Sequence, residues 1–226
     1  MNELSFQLCI YLIAAVCNFG CSQAGERPVT KTIEISGQRY RIPSEYLLPG
    51  LPNALVPSNS QMDKGGGINL EIPLSDLGIS TTSNGVSGFT NNVLVLISEL
   101  STYNNKYKLS SGAYDAWLGV DSFKDRVVEY DEKTRLYRVY PKATYPLMWS
   151  YFATPPDNRA GHEPKWIANC LGPTSAKEAE DMSNVRCRTR LSFDRTEAEI
   201  TLSGQYIRIV SEISRQVRKK VAEWAK

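Results

Sequence analysis

A chain of 226 residues with a single histidine has few routes to catalysis, so its reactive side chains can be weighed one at a time. That histidine, His162, sits in Gly161-His162-Glu163-Pro164, a loop context, eight residues before Cys170. An imidazole beside a thiolate is the arrangement a cysteine nucleophile needs, and a fold could bring these two together. With no second histidine, a zinc site would have to be built largely from carboxylates. Acidic residues cluster at Glu178, Glu180 and Asp181 and again at Asp131 and Glu132. Both groups fall in polar turn-like sequence, whereas acid–base work needs burial or a close neighbour to move a carboxyl pKa. Serines are plentiful, but no Gly-x-Ser-x-Gly nucleophile elbow occurs. The run Gly65-Gly66-Gly67 lacks the Lys-Ser/Thr that completes a phosphate-binding loop. No catalytic, cofactor-binding or metal-binding residue is expected, and no cofactor.

Composition narrows the remaining classes. At 42% apolar and 22% charged, the chain is ordinary for a globular protein and unlike a disordered or fibrous one. Twenty-six basic and 24 acidic residues leave a formal charge of +2, which gives no general pull toward nucleic acid. The twelve tyrosines and four tryptophans outnumber the six phenylalanines, a balance suited to surfaces that are partly buried or used for contact.

The N-terminus reads as an address. Residues 8 to 16, Leu-Cys-Ile-Tyr-Leu-Ile-Ala-Ala-Val, form an apolar run that falls well short of the ~20 residues a membrane-spanning helix requires. It fits the hydrophobic region of an export signal, although residues 1 to 7 carry Glu3 and no Lys or Arg. The residues after this run are compatible with two processed forms. Gly20-Cys21 matches half of a lipoprotein signal, with Cys21 as the lipidated residue, while Ser22-Gln23-Ala24 offers a small-x-small cleavage site before Gly25. The first would leave a membrane-anchored lipoprotein and the second a soluble product; residues 1 to 24 are then leader with a short tether, and 25 to 226 one domain. Export decides the cysteines: Cys9, Cys17 and Cys21 belong to the leader region, and Cys170 and Cys187 remain as an even pair. In an oxidising compartment such a pair reads as a disulfide, which leaves no thiolate for His162 to assist.

The elements that would position these residues are mostly strands. Residues 32 to 35 and 39 to 42 alternate polar and apolar around Ser36-Gly37-Gln38, a hairpin ended by Pro43. Residues 43 to 67 form a long connection rich in Pro, Asn and Gly. Ile68, Leu70, Ile72 and Leu74 share one face, and Pro73 places that strand at a sheet edge. The unbroken run Val93-Leu94-Val95-Leu96-Ile97 predicts a central strand buried on both faces. A second hairpin spans 127 to 140, and Trp149, Tyr151 and Trp166 read mainly as core. Leu191 and Phe193 lead into a turn, after which Ala198, Ile200 and Leu202 alternate back. Ser203 is the expected cap of a helix whose apolar stripe is Tyr206, Val210, Ile213, Val217, Val221 and Trp224. The box Ser175-x-x-Glu178 marks a further short helix. The fold class is α+β, mostly antiparallel β-sheet with a long C-terminal amphipathic helix packed on it.

The segment Tyr40-Arg41-Ile42-Pro43-Ser44-Glu45-Tyr46, the leader, the cysteine before a strand pair and the final helix together resemble exported Gram-negative immunity lipoproteins. These neutralise effectors of type VI secretion, including phospholipases. The resemblance implies a periplasmic protein that binds a protein toxin, with no nucleic acid among its partners and with membrane contact only through a lipid anchor. Alternatives are an envelope structural or assembly lipoprotein and a secreted small-ligand binder. The loops at 43 to 67 and 154 to 165 are the contact regions to expect, since recognition concentrates in irregular segments on a rigid scaffold.

Protein isolated from its native host is expected to begin at Cys21 or Gly25, and a Cys21→Ser variant should lose membrane association. Recovery of the mature chain with Met1 intact would refute the leader assignment.

Overall fold

The computed structural model describes residues 29–48, 67–81, 91–100, 109, 111–142, 148–156, 164–172 and 182–225. The chain first makes a two-stranded hairpin, β1 (Thr30–Ile35) and β2 (Gln38–Pro43). Its tight turn is possible because Ser36 and Gly37 both take positive φ, 49° and 76°, the twist that matches a right-handed strand pair. Eight further strands form one antiparallel sheet: β3 (Ile68–Pro73), β4 (Asn92–Glu99), β5 (Val127–Asp131), β6 (Leu136–Tyr140), β7 (Met148–Phe152), β8 (Trp166–Leu171), β9 (Arg186–Ser192) and β10 (Thr196–Ser203). Their spatial order is β3-β4-β10-β9-β8-β7-β6-β5. The chain therefore lays down one edge, crosses to the other, and returns as a meander whose last strand pairs with β4. The crossing carries helix α1 (Ser111–Leu118); helix α2 (Val210–Trp224) ends the fold. This is the expected α+β architecture, and β3 lies at the sheet edge as Pro73 required.

The two faces are covered differently. On one, Leu70, Val95, Ile200, Leu202, Trp149 and Tyr151 join the inward residues of the β1–β2 hairpin and the α2 stripe in one buried cluster. Tyr206, Val210, Ile213, Val217, Val221 and Trp224 are all buried, as their spacing demands. On the other, α1 places Ala116 and Trp117 on Val139 and Phe152, with Phe123 beside them. That second cluster spans only the β6–β8 end of the sheet.

Three expectations are corrected by this arrangement. β4 is central but not buried on both faces: Val93, Val95 and Ile97 are buried whereas Leu94 and Leu96 are half-covered, because α1 packs at the far end of their face. Gly67 fits against this half-covered side, where a Cβ would come within 2.7 Å of a Leu96 methyl. Ser203 does not cap the final helix. Its hydroxyl turns back to the carbonyls of Met182 and Ser183, at 3.4 and 3.3 Å, and the chain makes a 3₁₀ turn, Gly204–Ile209, before α2 begins at Val210. Gly204 is held too close for a regular helix start: its N–H donates to the Val185 carbonyl at 2.7 Å, and an added Cβ would meet the Met182 carbonyl at 2.9 Å. Trp166 is half-buried, while Trp149 and Tyr151 are core. The helix expected after Ser175 lies outside the described residues.

Cys170 and Cys187 are register partners on β8 and β9 and form a disulfide, with Cα atoms 4.0 Å apart. Closing a loop of 17-residue separation restricts the unfolded chain by about 3 kcal/mol. The Cys170→Ser/Cys187→Ser double variant should therefore lose about 3 kcal/mol in denaturant unfolding, and an unchanged midpoint would show that the link adds nothing.

Candidate functional site

A cleft of about 350 Å³ opens on the sheet face that α1 covers only in part. Strand register builds its floor from rows running across β7, β8 and β9. Met148 pairs with Leu171 and Leu171 with Arg186; one step along, Ser150 pairs with Asn169 and Asn169 with Arg188. Further in, Phe152 pairs with Trp166 under α1. The cleft thus grades from a closed aromatic end to an open end where Met148 and Leu171 are 57% and 51% exposed. Large apolar side chains that stand this far into solvent side by side mark contact surface more often than chance scatter.

The middle row is held by side-chain hydrogen bonds. Asn169 Oδ1 accepts from the Ser150 hydroxyl at 2.8 Å and from the Trp166 indole N–H at 3.0 Å, which fixes the ring on the cleft wall. The arginines stand on β9 at every second residue, Arg186, Arg188 and Arg190, while Cys187 and Thr189 between them are buried on the opposite face. Arg188 reaches Glu199 at 3.5 Å and Arg190 reaches Glu197 at 3.8 Å, both across to β10. The first of these pairs is two-thirds exposed on the arginine side, where solvent screening leaves such contacts weak and exchangeable.

Behind β5–β7, on the α2 face, lies a second polar group. The Tyr151 hydroxyl donates to Asp131 Oδ2 at 2.8 Å, and Asp131 Oδ1 accepts the backbone N–H groups of Lys133 and Thr134 at 3.0 and 3.3 Å. The Arg138 guanidinium lies 4.3 Å from the centre of the Trp149 ring and pairs with Glu129 at 3.8 Å. Burial, followed by the adjacent Asp131 carboxylate, raises the Tyr151 pKa above that of an ordinary phenol. Asp131 is therefore a turn former and an anchor for a core tyrosine.

Of the residues singled out in the sequence, Cys170 and Cys187 are brought together. They sit on the reverse of the cleft floor, between the Leu171–Arg186 and Asn169–Arg188 rows. Cys21, His162, Glu178, Glu180 and Asp181 lie outside the described residues. Residues 43 to 48 of the first expected contact loop are described and are scaffold: Tyr46 packs on Trp224 with ring centres 5.3 Å apart and donates to Asp76 at 2.8 Å. The second loop is closed at its base by the Ala153 N–H bonding the Lys165 carbonyl at 2.8 Å. Among the described residues no three His, Cys, Asp or Glu side chains form a metal-ligand cluster, and no helix is long and apolar enough to cross a membrane. The arginine row was missed in the sequence, where strict alternation from Arg186 to Arg190 is its visible signal.

No family model matches the chain, and no curated protein is similar to it in sequence. Its fold is similar to that of an immunity protein of the Stenotrophomonas maltophilia type IV secretion system. The TM-score is 0.50 at 12% identity, over 88% of this chain and 94% of that one.

The folded state keeps the Tyr151 proton that the unfolded chain releases near pH 10. Its contribution to stability is thus complete below that pH and is lost as pH rises further. Tyr151→Phe should flatten the alkaline fall in stability by about 1.4 kcal/mol per pH unit. Parallel pH–stability curves for the two proteins above pH 10 would contradict this assignment.

Proposed function

We propose that the protein is an exported immunity protein that binds a toxic secretion effector and neutralises it without chemistry of its own. The observation that carries this reading is the layout shared over 88% of the chain with a secretion-system immunity protein. The disulfide between Cys170 and Cys187 supports an oxidising location, the periplasm in a Gram-negative cell. A type VI effector, with phospholipases as one class, follows from the sequence resemblance, whereas the solved neighbour serves a type IV system. Anchoring through a lipidated Cys21 belongs to the same reading and would hold the inhibitor at the membrane where a phospholipase acts. The small-ligand alternative is less well supported, because the cleft is open-sided and lined by arginines, unlike an enclosed apolar pocket.

Co-expression provides the test. Directed to the periplasm, a candidate effector should arrest growth, and co-expression of the full-length protein should restore it. A form lacking residues 1 to 24 and kept in the cytoplasm should not protect, and His162→Ala should protect fully. Failure of the exported protein to protect would overturn the reading, and loss of protection by a folded His162→Ala variant would reopen a catalytic role.

A further inference from the structure

We infer that the open end of the cleft, where Met148 and Leu171 lie beside Arg188, is the surface that engages the effector. Its occupant is an acidic segment carrying an apolar side chain. The inference rests on the immunity reading for the identity of the partner, and on geometry for the rest. Met148 and Leu171 are register partners on β7 and β8, so their side chains project together, and both are more than half exposed. An apolar side chain of a partner laid across them would remove from water what is now solvated.

Charge gives the occupant its sign. Arg188 is one row away from Leu171, its side chain 65% exposed and its contact with Glu199 3.5 Å long. A carboxylate approaching along the apolar pair can take over that guanidinium bidentately, in a setting the arriving partner desolvates. Arg190 continues the positive row toward the aromatic end, 23% exposed and held by Glu197 at 3.8 Å. Arg186 opens it at the Leu171 side. A basic or purely apolar segment would meet this row unfavourably, so acid plus an apolar anchor is the combination that uses the whole floor.

The surface is also stiff. Its arginines are borne on a strand whose neighbour is covalently tied to it directly behind them, and Trp166 is fixed by Asn169. Side chains held this way lose less freedom on binding than loop residues do.

The test uses the folded full chain, the inactivated effector, and two synthetic peptides: Asp/Glu residues flanking a central Leu-Phe, and the same peptide with Lys at the acidic positions. Arg188→Glu and Met148→Asp should each weaken effector binding by roughly thirtyfold or more and abolish protection. Lys219→Glu, on the solvent side of α2, should leave both unchanged. Circular dichroism confirms folding of each variant, and Arg188→Lys should recover part of the affinity. The acidic peptide should compete with the effector, more so at low salt, and the Lys peptide should not. Protection at the unmutated level by Arg188→Glu and Met148→Asp overturns this inference and leaves the immunity reading intact. Binding of the acidic peptide that depends on Arg188, in a protein that protects against no effector, sustains the cleft assignment and removes the immunity reading.

Discussion

The pairing of β8 with β9 decides which side of the sheet each of their residues faces, and a covalent bond fixes that pairing. Side chains on a strand alternate with period two, so a slip of one residue between these strands would exchange the two faces entirely. Arg186, Arg188 and Arg190 would then point at the core occupied by Cys187 and Thr189. Burying one unpaired guanidinium is prohibitively costly, let alone a row of them. The disulfide sits in a buried cross-strand row that runs Trp149, Cys170, Cys187, Leu202 through β7, β8, β9 and β10. Core packing and crosslink therefore demand the same register, and the register places the arginines outside.

A second asymmetry arises from the order in which strands are laid down. Because β3 and β4 are made first and the meander returns to them, the chain must cross the sheet once between β4 and β5, and α1 is on that crossing. α2 has fifteen residues and, together with the β1–β2 hairpin, buries one face from β3 across to β7. α1 has eight and closes only the region over β6, β7 and the start of β8. The difference between a long cover and a short one leaves the cleft: a sheet face with its rows in place and part of its roof missing.

Much of this was legible in the sequence wherever period alone decides. The β1–β2 hairpin, the edge position of β3 and the buried stripe of α2 follow from alternation, from Pro73 and from spacings of three and four. The segment Tyr40 to Tyr46, which carried the resemblance to immunity lipoproteins, is structural. Tyr40 bonds buried Thr196 at 2.7 Å, and Tyr46 binds Asp76 and stacks near Trp224, so both tyrosines tie the hairpin to the rest of the core. What could not be read were features made by contact between distant segments. Leu94 and Leu96 look like core residues until the length of α1 is known. Ser203 looks like a helix cap until Met182 and Ser183 claim its hydroxyl. α1 is not announced by the sequence, because Gly112 weakens a short pattern whose buried positions, Ala113, Ala116 and Trp117, are mostly small.

The cleft is the extreme case of the same limit. Met148, Leu171 and Arg188 are separated by 23 and 17 residues in the chain, and nothing local to any of them announces a site. They meet because three consecutive strands of a meander place one residue each in adjacent rows, so the information lies in register. Loops, by contrast, advertise themselves in composition. For binding in general, the less visible choice has an advantage. Strand-borne side chains arrive already ordered, with the entropy of fixing them spent during folding, whereas a loop must be ordered when the partner binds. Sheet register, core packing and the Cys170–Cys187 link act together on the cleft, because each holds the same few side chains in place.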